Sequence, residues 1–125
     1  MLNILVVDDS WLARRILVNI LQEEGYKTDE AVNGIEALQK ITECQPDCVM
    51  LDLVMPESDG FGILRMLREQ IRSIPVIVVT ADIQHTTRTR CLEMGAVAVV
   101  NKPPERATLL SALHDAETHS RNTLQ

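Results

Sequence analysis

Aromatic residues are scarce: Trp11, Tyr26 and Phe61 make up 2% of the 125 residues. The core must therefore be aliphatic, and the scarcity counts against a stacking platform for single-stranded nucleic acid. Basic charge is also short, with 12 Lys and Arg against 18 Asp and Glu and a formal charge of -6. A net anion is repelled by phosphate backbones and anionic lipid, so neither nucleic acid nor a membrane surface is the expected partner. Cysteine is limited to Cys44, Cys48 and Cys91, too few and too irregular for a disulfide framework or a paired C-x-x-C metal site. Cys48 lies in an apolar run and reads as a small buried hydrophobe, which fits a reducing cytoplasm. Long apolar stretches are missing as well. Leu2–Val7 stops at two acids, and no run approaches bilayer-spanning length.

The remaining composition, 46% hydrophobic and 24% charged, is that of an ordinary globular chain. The length suits one domain over residues 1–125, with a polar tail from Thr118 to Gln125 that is expected to fray. Five aliphatic runs, Asn3–Val7, Lys27–Ala31, Asp47–Leu51, Pro75–Thr80 and Val97–Val100, read as strands covered on both faces. Helical spacing fills the gaps. Leu12, Ile16 and Ile20, with Ala13, Leu17 and Leu21 beside them, predict one apolar stripe on a first helix ended by Gly25. Ile35, Leu38 and Ile41 follow Asn33-Gly34, and Ile63, Leu64, Leu67 and Ile71 follow a turn over Pro56–Gly60. Leu92 and Met94 close a polar fourth helix, and Leu109, Leu110 and Leu113 mark a fifth. The fold class is α/β, a (βα)5 doubly wound parallel sheet of five strands.

In such sheets ligands bind beyond the carboxyl ends of the strands. The first run ends in Asp8-Asp9, the third in Asp52, the fourth in Thr80 and the fifth in Lys102. If the strands are ordered 2-1-3-4-5, these loaded ends are contiguous. Each has a plain alternative: Asp9 as a helix cap, Asp52 as a turn opener, Thr80 as a strand-end hydroxyl, Lys102 as a solvated charge. Their joint placement on one rim favours a site. Three acids at close range repel unless cations compensate, and Lys102 supplies only one. A hard divalent ion suits the remainder. Mg2+ takes oxygen ligands and keeps waters, Ca2+ would want more donors, and zinc would want Cys or His, whereas His85, His114 and His119 lie elsewhere. A metal, an ammonium and a hydroxyl together suit a phosphoryl group, with Asp52 as the best-placed nucleophile and Asp8 and Asp9 as metal ligands.

Four segments carry a resemblance: Val6-Val7-Asp8-Asp9-Ser10, Leu51–Gly60, Thr80-Ala81 and Lys102-Pro103. Together they resemble the receiver domains of two-component response regulators, the CheY-like family, from Asn3 to about Leu113. The resemblance implies the flavodoxin-like order 2-1-3-4-5. It also implies a metal-binding acid pair at Asp8 and Asp9, phosphorylation at Asp52, and a metal-facing carbonyl at Val54. Thr80 would be the switch hydroxyl with Ala81 beside it, Lys102 the family's lysine, and Lys102–Pro103 a cis peptide candidate. The implied cofactor is Mg2+. The implied partners are a histidine kinase or phosphotransfer protein and a separate output protein, met through the face of helix four, strand five and helix five, with chemotaxis or a phosphorelay as the implied setting. The family's aromatic switch position is Val99 here, Pro104 replaces another aromatic, and Asp82 adds an acid beside the pocket.

Other classes fit less well. An aspartate-nucleophile phosphatase wants a second Asp where Val54 stands, so only slow self-hydrolysis is expected. A flavin or nucleotide site wants a Gly-rich or Ser/Thr-rich loop where Asp8-Asp9-Ser10-Trp11 stands. A degenerate receiver serving only as an interaction module is the alternative: the five pocket residues are all present, which counts against it, while Val99 keeps it open. The basic block Thr86–Arg90 is either a solvated helix face or a docking patch for an acidic partner. With no output segment after Lys102, the features suit a stand-alone regulator or a fragment of a longer one.

Overall fold

Parallel strands buried on both faces sort their alternate residues into two cores, and this chain does so across one five-stranded sheet. The computed structural model describes residues 2–55, 58–70 and 73–124. The strands are β1 (Asn3–Val7), β2 (Lys27–Ala31), β3 (Cys48–Leu51), β4 (Val76–Thr80) and β5 (Ala98–Asn101), in the order β2-β1-β3-β4-β5 with every pairing parallel. The helices are α1 (Trp11–Glu23), α2 (Gly34–Cys44), α3 (Gly60–Gln70), α4 (His85–Glu93) and α5 (Arg106–Leu124). Leu5, Val7, Val49, Leu51, Val76 and Val78 face α2, α3 and Cys91 of α4. Their neighbours Ile4, Val6, Cys48, Met50, Ile77 and Val79 face α1 and α5.

Local chemistry sets the helix ends. Ser10 is extended, and its Oγ accepts from the Ala13 N–H at 3.2 Å to cap α1. Gly25 takes φ +90 just past that helix, a conformation side chains rarely adopt. Asn33 Oδ1 accepts from the Glu36 N–H at 2.8 Å and caps α2. Between β3 and α3, Val54–Met55 pairs antiparallel with Ser58–Asp59. Pro56 and Glu57, expected in that turn, and Ile71, expected on the third helix, lie outside the described residues.

Several expectations are corrected. The buried residues of α1 are Arg14, Leu17, Val18 and Leu21, whereas Leu12 and Ile16 are 63% and 40% exposed. Apolar spacing put the stripe one position off because a buried arginine occupies the true frame. On α2 the buried residues are Gly34, Ala37 and Ile41, and Ile35 stands in solvent. Small residues hold the inner face there because Ile63 of α3 presses on Gly34. β2 is an edge strand, only Ala31 of it fully buried, so its polar sequence was not that of a doubly covered strand. α5 runs as a helix through Thr118 to Leu124. Residues 118–124 hold no Gly or Pro to stop it.

Gly60 begins α3 where there is no room for a side chain: a Cβ would lie 2.3 Å from the Leu53 carbonyl oxygen and 2.4 Å from Leu53 Cα. Both contacts are backbone, so neither can rotate away. Gly60→Ala is expected to destabilise the fold by at least about 1–3 kcal/mol, read as a lower urea midpoint at unchanged slope. An unshifted midpoint would contradict this packing.

Candidate functional site

The sheet's hydrogen-bond ladder runs one rung past three of its strands. The Asp8 N–H reaches the Ala31 carbonyl of β2 at 3.1 Å. The Asp52 N–H reaches the Val7 carbonyl of β1 at 2.9 Å, and the Lys102 N–H reaches the Thr80 carbonyl of β4 at 2.8 Å. Residues adjoining three different strands are thereby delivered to one rim.

Carboxylate oxygens of Asp8, Asp9 and Asp52 lie within 4.8 Å of one another, Asp8 and Asp52 buried and Asp9 exposed. Lys102 Nζ donates to Asp8 Oδ2 at 2.6 Å and lies 3.5 Å from Asp52 Oδ1. Three carboxylates against one ammonium leave two negative charges in the cluster. An all-oxygen donor set with that excess fits a hard dication such as Mg2+. Asp8 is further held by the Ser10 N–H on its Oδ1 at 2.9 Å. The cap of α1 is Ser10, so Asp9 is not serving as that cap.

Thr80 is fully buried, and its Oγ1 accepts from the Asp82 N–H at 3.1 Å. Ala81 between them is exposed. Asp82, expected to load the pocket mouth, has both carboxylate oxygens engaged at the start of α4. Oδ1 accepts from the Gln84 N–H at 2.9 Å and Oδ2 from the Thr87 hydroxyl at 2.6 Å. Val99 is buried, and its carbonyl accepts from Arg88 Nη1 at 3.0 Å. The Lys102–Pro103 peptide is cis. Val54 sits in the short antiparallel pair that follows Asp52.

Sequence reasoning missed Arg14 and its partner Glu30. Arg14, buried on α1, donates from Nη1 to the Asp8 carbonyl at 2.6 Å and from Nε to Glu30 Oε1 of β2 at 3.1 Å. The available signal was position: Arg14 shares a helical face with Leu17, Val18 and Leu21, where a charge must find a partner.

Among families of known proteins, a model of the response regulator receiver domain matches residues 4–114. The chain belongs to this family. The receiver is 35% identical over 116 residues to the chemotaxis protein CheY of Halobacterium salinarum, covering 93% of this chain and 97% of that protein. It is 42% identical over 110 residues to protein-glutamate methylesterase/protein-glutamine glutaminase 5 of Myxococcus xanthus. That match covers 86% of this chain but 32% of the relative. With the transcriptional regulatory protein ResD of Bacillus subtilis it shares 41% over 101 residues, 81% of this chain and 42% of ResD. It thus spans about a third and two-fifths of those two relatives. Among solved structures, the chemotaxis regulator CheY4 of Vibrio cholerae superposes with a TM-score of 0.85 at 30% identity, covering 93% of this receiver and 98% of that chain.

The Thr87 hydroxyl, and after it the Gln84 N–H, hold the Asp82 carboxyl below its ordinary range, against a smaller opposing effect of burial. A lowered folded value means that whatever stability this group contributes is present above the ordinary carboxylate range and lost as pH falls through the lowered value. Thr87→Val is expected to move the Asp82 titration upward in a carbon-detected NMR pH series. An unmoved midpoint would remove Thr87 as the cause.

Proposed function

We propose that this receiver takes a phosphoryl group onto Asp52 in a Mg2+-dependent transfer and passes the change to a separate protein. One observation carries the reading: Asp52 is buried at the sheet rim, its carboxylate within 4.8 Å of those of Asp8 and Asp9 and 3.5 Å from the ammonium of Lys102. In the transfer an Asp52 carboxylate oxygen attacks phosphorus and forms the new P–O bond. The bond from phosphorus to the donor breaks, and its electron pair leaves with the donor, a phosphohistidine nitrogen in a kinase or phosphotransfer protein. Asp8, Asp9, Asp52 and the Val54 carbonyl would hold Mg2+, which when bound supplies positive charge against the phosphoryl oxygens. Lys102 adds its ammonium to the same oxygens. Water slowly reverses the modification, and no other catalysis is proposed.

The donor is a protein that meets an apolar surface continuous with the pocket. Trp11, Leu12 and Ile16 are exposed. A groove of about 220 Å3 is lined by Leu12 and Ile16 together with Val79, Pro103, Pro104, Ser10 and Lys102. Ser10 and Lys102 also hold Asp8, so a donor seated there would sit beside the phosphoacceptor.

The switch begins at Thr80. Thr80 Oγ1 accepts from the Asp82 N–H, so a movement of Thr80 to donate its own proton to a phosphoryl oxygen would be felt at Asp82. Asp82 accepts the Thr87 hydroxyl from the first turn of α4, and the next residue, Arg88, holds the Val99 carbonyl of β5. The chain has valine where related receivers use an aromatic, and this polar path supplies a route to the face of α4, β5 and α5 where an output partner would bind. A ligand shifts such an equilibrium only through contacts that differ between the two states, and the Thr80 hydroxyl provides one.

Incubation with acetyl phosphate and Mg2+ followed by intact-mass spectrometry is expected to show one phosphoryl adduct. The adduct should be absent without metal and absent in Asp52→Asn. No adduct under conditions that label a control receiver would point instead to an interaction module independent of phosphorylation. Trp11, one residue past the cap that binds Asp8, is expected to change fluorescence on adding Mg2+ or a beryllofluoride phosphate mimic. Silence with both would separate α1 from events in the pocket.

A further inference from the structure

Beyond the pocket acids and Thr80, the buried polar side chain among the described residues is Arg14. We infer that Arg14 is a positioning residue for the acid pair: its guanidinium fixes the peptide joining Asp8 to Asp9 and so sets the affinity of the pocket for a hard dication. The inference rests on the proposed metal-binding role of that pair.

Asp8 is held at three other atoms: its N–H by Ala31, its Oδ1 by Ser10 and its Oδ2 by Lys102. None of these contacts touches the peptide between Asp8 and Asp9. Arg14 does, because the oxygen it binds at 2.6 Å is the carbonyl of that peptide. A peptide is planar, so fixing its oxygen fixes the direction in which the chain enters Asp9. Asp9 is the exposed member of the cluster, without the burial that locks Asp8 and Asp52. The orientation of its carboxylate therefore depends on the backbone beneath it.

Glu30 completes the device. It lies beside Ala31 on β2, opposite Val6 of β1, and takes the Arg14 Nε–H at 3.1 Å. Its other oxygen takes Arg15 Nη2 at 2.5 Å. The guanidinium is thus aimed from two sides. Burying the guanidinium costs desolvation that an apolar residue would avoid, so stability alone is a weak reason for it on the stripe of Leu17, Val18 and Leu21.

Charge and geometry predict opposite signs. A guanidinium near a dication repels it, so if charge alone mattered, removing Arg14 would tighten metal binding. If position matters, removal loosens it. The test titrates the full chain with Mn2+ as the probe, counting free ion by its electron paramagnetic resonance signal, with Mg2+ as competitor. Arg14→Met is expected to weaken Mn2+ binding by about 10-fold or more, as loss of a residue that orients metal ligands typically does. The metal concentration for half-maximal labelling of Asp52 by acetyl phosphate should rise by the same factor. Arg14→Lys, which keeps a donor, should recover part of the loss. Unchanged or tighter binding in a folded Arg14→Met protein overturns the inference. If that variant does not fold, Arg14→Lys and Glu30→Gln decide: weakened binding in both supports the inference and wild-type affinity in both overturns it. A wild-type chain that binds no Mn2+ would instead overturn the metal reading itself.

Discussion

The site depends on a backbone constraint, the extension of the parallel ladder one residue past β1, β3 and β5. Asp8, Asp52 and Lys102 each donate a main-chain N–H to the neighbouring strand, at 3.1, 2.9 and 2.8 Å. Their N–H groups are therefore satisfied before their side chains do anything. The ends of β1, β3 and β4 are closed to solvent, and β4 carries the carbonyl that Lys102 meets: Val7, Leu51 and Thr80 are each 0% exposed. Side chains launched from such a platform inherit its rigidity, which is what placing three carboxylates and an ammonium within a few ångströms requires.

Electrostatics then decides what the rim can tolerate. Lys102 reaches Asp8 more closely than Asp52, at 2.6 against 3.5 Å, so it secures the deepest acid while remaining close to the proposed nucleophile. The rest of Asp8 is taken up by Ser10 and by the guanidinium of Arg14 on its carbonyl. Buried charge survives here because each group is met by hydrogen bonds as well as by an opposite charge.

Much of this was legible in the sequence. The alternation of aliphatic runs with helical spacing implies the (βα)5 pattern, and the polar residue at four strand ends implies the rim, because both follow from local rules. Strand order came from resemblance, since the order of parallel strands is a tertiary choice that no local pattern encodes. The failures share a cause. Leu12, Ile16 and Ile35 are apolar yet exposed, Arg14 is charged yet buried, and β2, expected as a strand covered on both faces, fully buries Ala31 alone. Hydrophobicity predicts burial only where no partner waits, and the partners of Arg14 are a carbonyl 6 residues away and a carboxylate 16 residues away.

The helices are not held equally. α1 buries Leu17, Val18 and Leu21, each worth roughly 1.5–3 kcal/mol, whereas α4 buries Cys91 alone. Polar ties supplement that one thiol: Asp82 to Thr87, Arg88 to the Val99 carbonyl, and Arg90 over the Phe61 ring at 3.8 Å. Contacts of this kind, exposed to water, are individually weak beside the burial of a core side chain. Re-seating α4 therefore costs an amount comparable with what a few new charge-assisted hydrogen bonds supply, while moving α1 would cost several times more. In hydrogen-exchange terms α4 belongs to the shallow end of the stability gradient, where an opening far smaller than global unfolding is enough to expose its amides.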